Sequence, residues 1–146
     1  MRIYLDACCL NRPFDDQTQD RIRLESEAVL SILNRCQMGE WQLIGSEALD
    51  YEIFKIPDDD RKQKVLILAG LVQSKVFLDV KVVQQANLLQ EAGLAALDAL
   101  HISCAEKGGA NALLTTDDRL VRQAARTKAL IKITVANPIS WLMEVF

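Results

Sequence analysis

The chain has a single histidine, His101, and its four cysteines, Cys8, Cys9, Cys36 and Cys104, contain no CxxC pair. No zinc-ligand spacing can be assembled from that set. The thiols read as reduced and mostly buried, as in a cytosolic protein. Long apolar runs are also missing. The longest uncharged stretches, such as Val65–Ser74, fall far short of the roughly 20 apolar residues that span a bilayer. Met1-Arg2-Ile3-Tyr4-Leu5-Asp6 reaches charge too early for the apolar core of a signal peptide. Neither sign of charge dominates: 17 Lys+Arg stand against 20 Asp+Glu, for a net charge of −3. That excludes a domain whose whole surface attracts nucleic acid and is too mild for a disordered acidic tail. Repeats, low-complexity tracts and linkers are absent. A soluble, cytoplasmic protein with no membrane partner is expected.

What is present suits one compact unit. The 146 residues, half of them hydrophobic, match the length prior for a single domain over 1–146, with a core large enough to need no metal or disulfide staple. Short apolar runs read as strands at Ile3–Leu5, Trp41–Ile44, Val76–Val80, Ala112–Thr116 and Ile131–Val135. Helical patterns alternate with them. Ile22, Val29, Ile32, Leu33 and Cys36 share one face of a helix that starts near Thr18 and ends at Gly39. Others are expected over Glu47–Lys55 behind the cap residue Ser46, from Asp58 to about Val72, over Lys81–Glu91, over Leu94–Lys107, from Asp118 to about Ala129, and briefly after Asn137-Pro138. The segment between Asp6 and Thr18 reads as a loop. Strands alternating with helices imply an α/β fold, a mostly parallel sheet covered on both faces.

In such sheets sites form at the carboxyl ends of strands, where the strand order reverses. Asp6 closes the first strand and Asp117, followed by Asp118, closes the fourth. If those strands are neighbours, their carboxylates converge. Asp98 is the only charge between Glu91 and Glu106, and an isolated acid on a largely apolar helix is costly unless it is paired, metal-bound or solvated. Glu47, Asp50 and Glu52 all lie early in one helix, where the helix dipole alone accounts for acids; at most one or two of them can face a crevice. The triplet Asp58-Asp59-Asp60 reads as a solvated helix start. Convergent carboxylates without a His/Cys cluster suit a hard cation, Mg²⁺ or Mn²⁺, and the chemistry that uses it, phosphodiester hydrolysis.

These residues resemble the PIN domain family, and within it the VapC-like ribonucleases of type II toxin–antitoxin systems. Ile3-Tyr4-Leu5-Asp6-Ala7-Cys8-Cys9-Leu10-Asn11-Arg12-Pro13-Phe14-Asp15-Asp16 looks like the first motif. Ser46 with Glu52 looks like the second, and this selects Glu52 over Glu47 and Asp50. Leu97-Asp98-Ala99-Leu100-His101 is similar to the third, and Leu114-Thr115-Thr116-Asp117-Asp118-Arg119-Leu120 to the fourth. The resemblance implies a three-layer α/β/α sandwich with a five-stranded sheet and a Mg²⁺- or Mn²⁺-dependent endoribonuclease. Asp6, Glu52, Asp98 and Asp117 would be catalytic and, with Asp118, metal-holding. It also implies a homodimer and an antitoxin partner. One departure is Arg119, which stands where many relatives carry a further acid; Asp118 is the candidate to replace it.

Around this set, Asn11, Arg12 and His101 are candidate substrate contacts, with a turn role open for Asn11 and a packed role for His101. Arg119, Arg122 and Arg126 recur at i, i+3 and i+7 and could track an RNA backbone along one helix face; a solvated face is the plainer alternative. Cys8 and Cys9 lack the Cys-x₅-Arg spacing of a phosphatase nucleophile. A haloacid-dehalogenase phosphatase would need an acid where Cys8 stands, and a receiver domain a Lys near Ala136. An RNA-processing nuclease without antitoxin, or an inactive PIN-fold interaction module, remains compatible with the residues. Setting aside the five acids of the motifs turns the net charge from −3 to +2. The acidity is therefore concentrated where metal would neutralise it.

Overall fold

The computed structural model describes residues 1–146. It contains five strands, β1 (Arg2–Leu5), β2 (Gln42–Ser46), β3 (Ser74–Val76), β4 (Ala112–Leu114) and β5 (Thr134–Ala136). They form one sheet in the order β3-β2-β1-β4-β5, and all four pairings are parallel. Eight helices connect and cover it: α1 (Ala7–Asn11), α2 (Asp20–Gln37), α3 (Glu47–Phe54), α4 (Asp59–Ala69), α5 (Val80–Glu91), α6 (Ala96–Lys107), α7 (Asp118–Arg126) and α8 (Pro138–Val145).

β1 is central because it can be buried on both faces: Ile3, Tyr4 and Leu5 are all inaccessible, as are Leu113 and Leu114 of β4 beside it. Continuous apolar runs of this kind belong in parallel sheets sandwiched between helices. The chain runs outward from β1 through β2 to β3, then crosses back to β4 and β5. With right-handed crossovers, α2 and α4 cover one face and α5, α6 and α7 the other. Accordingly α6 packs on β2, β3 and β4 and along α5, while α2 packs on β2 and α8. Helix and sheet approach closely at Gly108, where an added Cβ would lie 2.7 Å from Ile44 Cγ2 and 2.8 Å from Val76 Cγ2.

Three local readings differ from expectation. The segment after Asp6 is not a loop but the short helix α1 followed by a 3₁₀ turn at Arg12–Phe14; five residues are too few to show a 3.6-residue period. The third strand ends at Val76 rather than Val80, because Asp79 Oδ1 accepts from Val82 N at 2.8 Å and starts α5. The fifth strand begins at Thr134, since Lys128–Leu130 form a 3₁₀ turn. The cysteines are all free thiols, three buried and Cys8 half-buried, and no helix is long and apolar enough to cross a membrane.

Candidate active site

The strand order reverses between β1 and β4. Leu5 pairs with Leu114, so the two strands end side by side and each hands the chain to a helix. A helix start needs a side-chain acceptor for its free N–H groups, and an acid serves both caps here. Asp6 Oδ1 accepts from Ala7 N at 2.8 Å at the start of α1. Asp117 Oδ1 accepts from Arg119 N at 2.9 Å and from Leu120 N at 3.4 Å at the start of α7. Each cap uses one carboxylate oxygen, Oδ1 in both cases. Thr115 couples the pair: its hydroxyl donates to Asp6 Oδ2 at 2.9 Å and accepts from Asp117 N at 3.1 Å. Cys8 Sγ adds a longer contact of 3.5 Å to Asp6 Oδ2.

A third strand end supplies the next side chain. Ser46 closes β2 and caps α3, accepting from Leu49 N at 3.0 Å. Of the three acids on α3, Glu47 Oε1 accepts from Leu78 N at 2.7 Å and Asp50 pairs with Lys75 at 2.6 Å. Glu52 alone turns to the crevice, where its Oε1 lies 2.6 Å from His101 Nε2. His101 reaches the same point from α6. Its Nε2 is 4.0 Å from Asp6 Oδ1, and its Nδ1 is 2.6 Å from Tyr4 Oη, which in turn is 2.7 Å from Ser46 Oγ. Donor atoms of Asp6, Glu52 and His101 all lie within 4.8 Å of one another.

The remaining acids form a second group. Arg119 Nη2 stands 4.0 Å from both Asp98 Oδ2 and Asp117 Oδ2. Asp98, Arg119, Leu120 and Gln123 line a cavity of about 180 Å³ with residues 93–95. A larger cavity, about 450 Å³, lies between α7 and β5 and touches none of the acids.

Burial disfavours the charged form of Asp6 and, with repulsion from Glu52, raises its pKa against the opposing pull of His101 and the Thr115 and Cys8 hydrogen bonds. Asp98 is raised too, by burial and by the charges of Asp6 and Asp117. For His101, burial works against protonation, but the hydrogen bond to Glu52 and the fields of Asp6, Glu52 and Asp98 outweigh it and the pKa rises. Raised pKa values on two carboxyl groups and an imidazole mark a site short of positive charge. Its donors are mainly carboxylate oxygens, which fits a hard divalent cation.

The other candidate residues lie around this centre. Asp118 is gripped by Arg21, whose Nη2 and Nη1 donate at 2.7 and 2.8 Å, and is not drawn to the other acids. Arg12 donates to the fully buried Glu25 at 2.9 Å and to Asp15 at 3.0 Å. Asn11 Nδ2 donates to Ala7 O at 2.9 Å. Arg119, Arg122 and Arg126 are exposed along α7. Reading the sequence did not reveal Tyr4 as a support for His101 or Thr115 as the link between Asp6 and Asp117. An inward tyrosine just before a strand-end acid was the available signal for the first.

The PIN domain family matches residues 3–126. No curated protein matches the chain in sequence. Among solved structures, VapBC2 from Rickettsia felis bound to a DNA fragment from their promoter superposes with a TM-score of 0.59 at 14% identity, covering 94% of this chain and 98% of that one. VapBC-1 from nontypeable Haemophilus influenzae gives 0.59 at 15% identity over 94% and 98%. PAE2754 from Pyrobaculum aerophilum gives 0.54 at 16% over 99% and 88%. At such identities these structures attest the shared α/β fold.

Proposed function

We propose, from the premise that this chain belongs to the PIN domain family, that it is a metal-dependent endoribonuclease. The observation that carries the reading is the meeting of Asp6, Glu52 and His101 within 4.8 Å at the β1/β4 switch point. Asp98 and Asp117 are the next acids along the groove.

Asp6, Glu52, Asp98 and Asp117 would hold Mg²⁺ or Mn²⁺. Such an ion lowers the pKa of water and neutralises charge building up on the phosphate oxygens. The chain's own residues prepare the place. The caps of α1 and α7 lock Asp6 and Asp117, Thr115 spaces them, and His101 holds Glu52. The exposed Arg119 offers a cation to the phosphate, and Arg122 and Arg126 extend a basic stripe along which RNA can lie. No protein nucleophile is needed; Cys8 makes hydrogen bonds to Asp6 and Thr115 rather than facing a phosphate cradle.

The substitution Asp6→Asn tests this. An amide at this position keeps the cap on Ala7 N, and Thr115 can reverse its hydroxyl, so the fold should persist. Loss of several kcal/mol of charge stabilisation corresponds to at least about a 10²-fold drop in cleavage of a fluorescent RNA. A wild-type rate would overturn the assignment.

The same reading makes residues 1–146 one PIN unit acting in the cytoplasm as the toxin of a type II pair, a homodimer met by an antitoxin. Two of the similar structures are VapBC complexes, which supports the partner. Co-purification of the untagged operon product tests it: a small second protein is expected at fixed stoichiometry, and its absence would leave a nuclease without antitoxin.

A further inference from the structure

His101 occupies a place that a substrate contact would not. It is only 1% exposed, so it cannot reach out to RNA, yet its Nε2 edge points between Asp6 Oδ1 and Glu52 Oε1. We propose that His101 Nε2 is itself a ligand of the ion, so that Asp6, Glu52 and His101 form a mixed oxygen–nitrogen set favouring Mn²⁺ and its first-row neighbours over Mg²⁺. The proposal rests on the metal-site reading above and goes beyond it by assigning a donor and a selectivity.

Three observations carry it. First, the compact set of donor atoms contains His101 and not Asp98 or Asp117; without the imidazole it has only two members. Second, the ring is supported as a ligating histidine is, through a hydrogen bond on its other nitrogen. In the tautomer that leaves Nε2 bare, Nδ1–H donates to Tyr4 Oη, Tyr4 donates to Ser46 Oγ, and Ser46 still caps Leu49 N. Every member keeps a partner. The ring of Tyr4 also meets that of His101 edge-on, with centroids 5.7 Å apart. Third, Nε2 and Oε1 stand 2.6 Å apart, at hydrogen-bond distance and with Asp6 Oδ1 4.0 Å from the same nitrogen, so the two donor atoms already converge on one point. An ion bound by both atoms would replace the hydrogen bond between them. Imidazole nitrogen suits first-row transition ions, whereas Mg²⁺ prefers oxygen and retained water.

The test is pulsed electron paramagnetic resonance on the wild-type protein loaded with Mn²⁺. Spin-echo modulation from a directly bound imidazole nitrogen is expected, and it should vanish in His101→Gln. Mn²⁺ that binds without nitrogen modulation overturns the proposal and leaves the nuclease reading standing. A wild-type protein that binds no Mn²⁺ overturns both. Calorimetry supplies a second readout. His101→Gln should weaken Mn²⁺ binding by about 10–100-fold, and Tyr4→Phe, which frees Nδ1, by about tenfold, with Mg²⁺ affinity changed far less. Equal losses for both ions would make His101 a positioning residue for Glu52 and overturn the proposal.

Discussion

Asp117 does two jobs that one pair of substitutions can separate. Its Oδ1 caps α7 by accepting from Arg119 N and Leu120 N, while Oδ2 faces Arg119 and the groove. Asp117→Ala removes both. The lost cap costs about 1 kcal/mol, which for a chain of this length lowers the melting temperature by about 4 °C. Asp117→Asn keeps the cap, because Asn and Asp are equivalent there. It gives up about 0.3–1 kcal/mol of charge–dipole attraction and gains relief from the repulsion between Asp117 and Asp98. Its melting temperature should stay within about 2 °C of wild type. Both variants should lose RNA cleavage by at least about 10²-fold, since a metal-facing charge is gone in each. The assays are thermal denaturation in chelator and initial cleavage rates with Mn²⁺ or Mg²⁺. If Asp117→Asn cleaved at the wild-type rate, the metal role would be refuted. If Asp117→Ala melted like wild type, the capping argument would fail.

Metal-free protein should lose stability as the pH rises above 6.5. His101 has its folded pKa raised above the ordinary 6.5, so its contribution is complete below 6.5 and disappears as the pH passes the folded value; saturating Mn²⁺ or His101→Gln should flatten the slope, and a melting temperature rising with pH would contradict it. Saturating metal at about 100 times its dissociation constant should stabilise the protein by about 2.7 kcal/mol, and no thermal shift would argue against the site. Glu25 is fully buried and takes hydrogen bonds from Arg12, Arg21 and Asn137, so Glu25→Gln should cost about 3 kcal/mol in urea denaturation; less than 1 kcal/mol would show that its charge is dispensable. Reversing Arg122 and Arg126 together to Glu should weaken RNA binding and flatten its dependence on salt, whereas an unchanged salt slope would take α7 out of the footprint.

The sequence by itself determined the strand–acid junctions. At Leu5-Asp6 and from Leu114 to Asp118 an apolar run ends in an acid, and the second junction also shows its helix. Both signals are local, burial of a short apolar segment and a side-chain acceptor for exposed N–H groups, whereas the five-residue helix α1 after Asp6 is too short to read and looks like a loop in the sequence. It also determined that Ser46 would cap α3, for the same reason. It left open which acid of α3 matters, because helix-dipole arguments treat Glu47, Asp50 and Glu52 alike; only family resemblance separated them. The tertiary structure gave each a different partner far away in the chain, with Leu78 N engaging Glu47, Lys75 engaging Asp50 and His101 engaging Glu52, so that Glu52 alone meets Asp6 and His101. It likewise tied Asp118 to Arg21 and seated His101 between Asp6 and Glu52 on a Tyr4–Ser46 support. A cap needs only its neighbours in sequence. A charge inside a groove needs partners brought to it by strand order, and that order is set by how β1, β2 and β4 pair across the middle of the sheet.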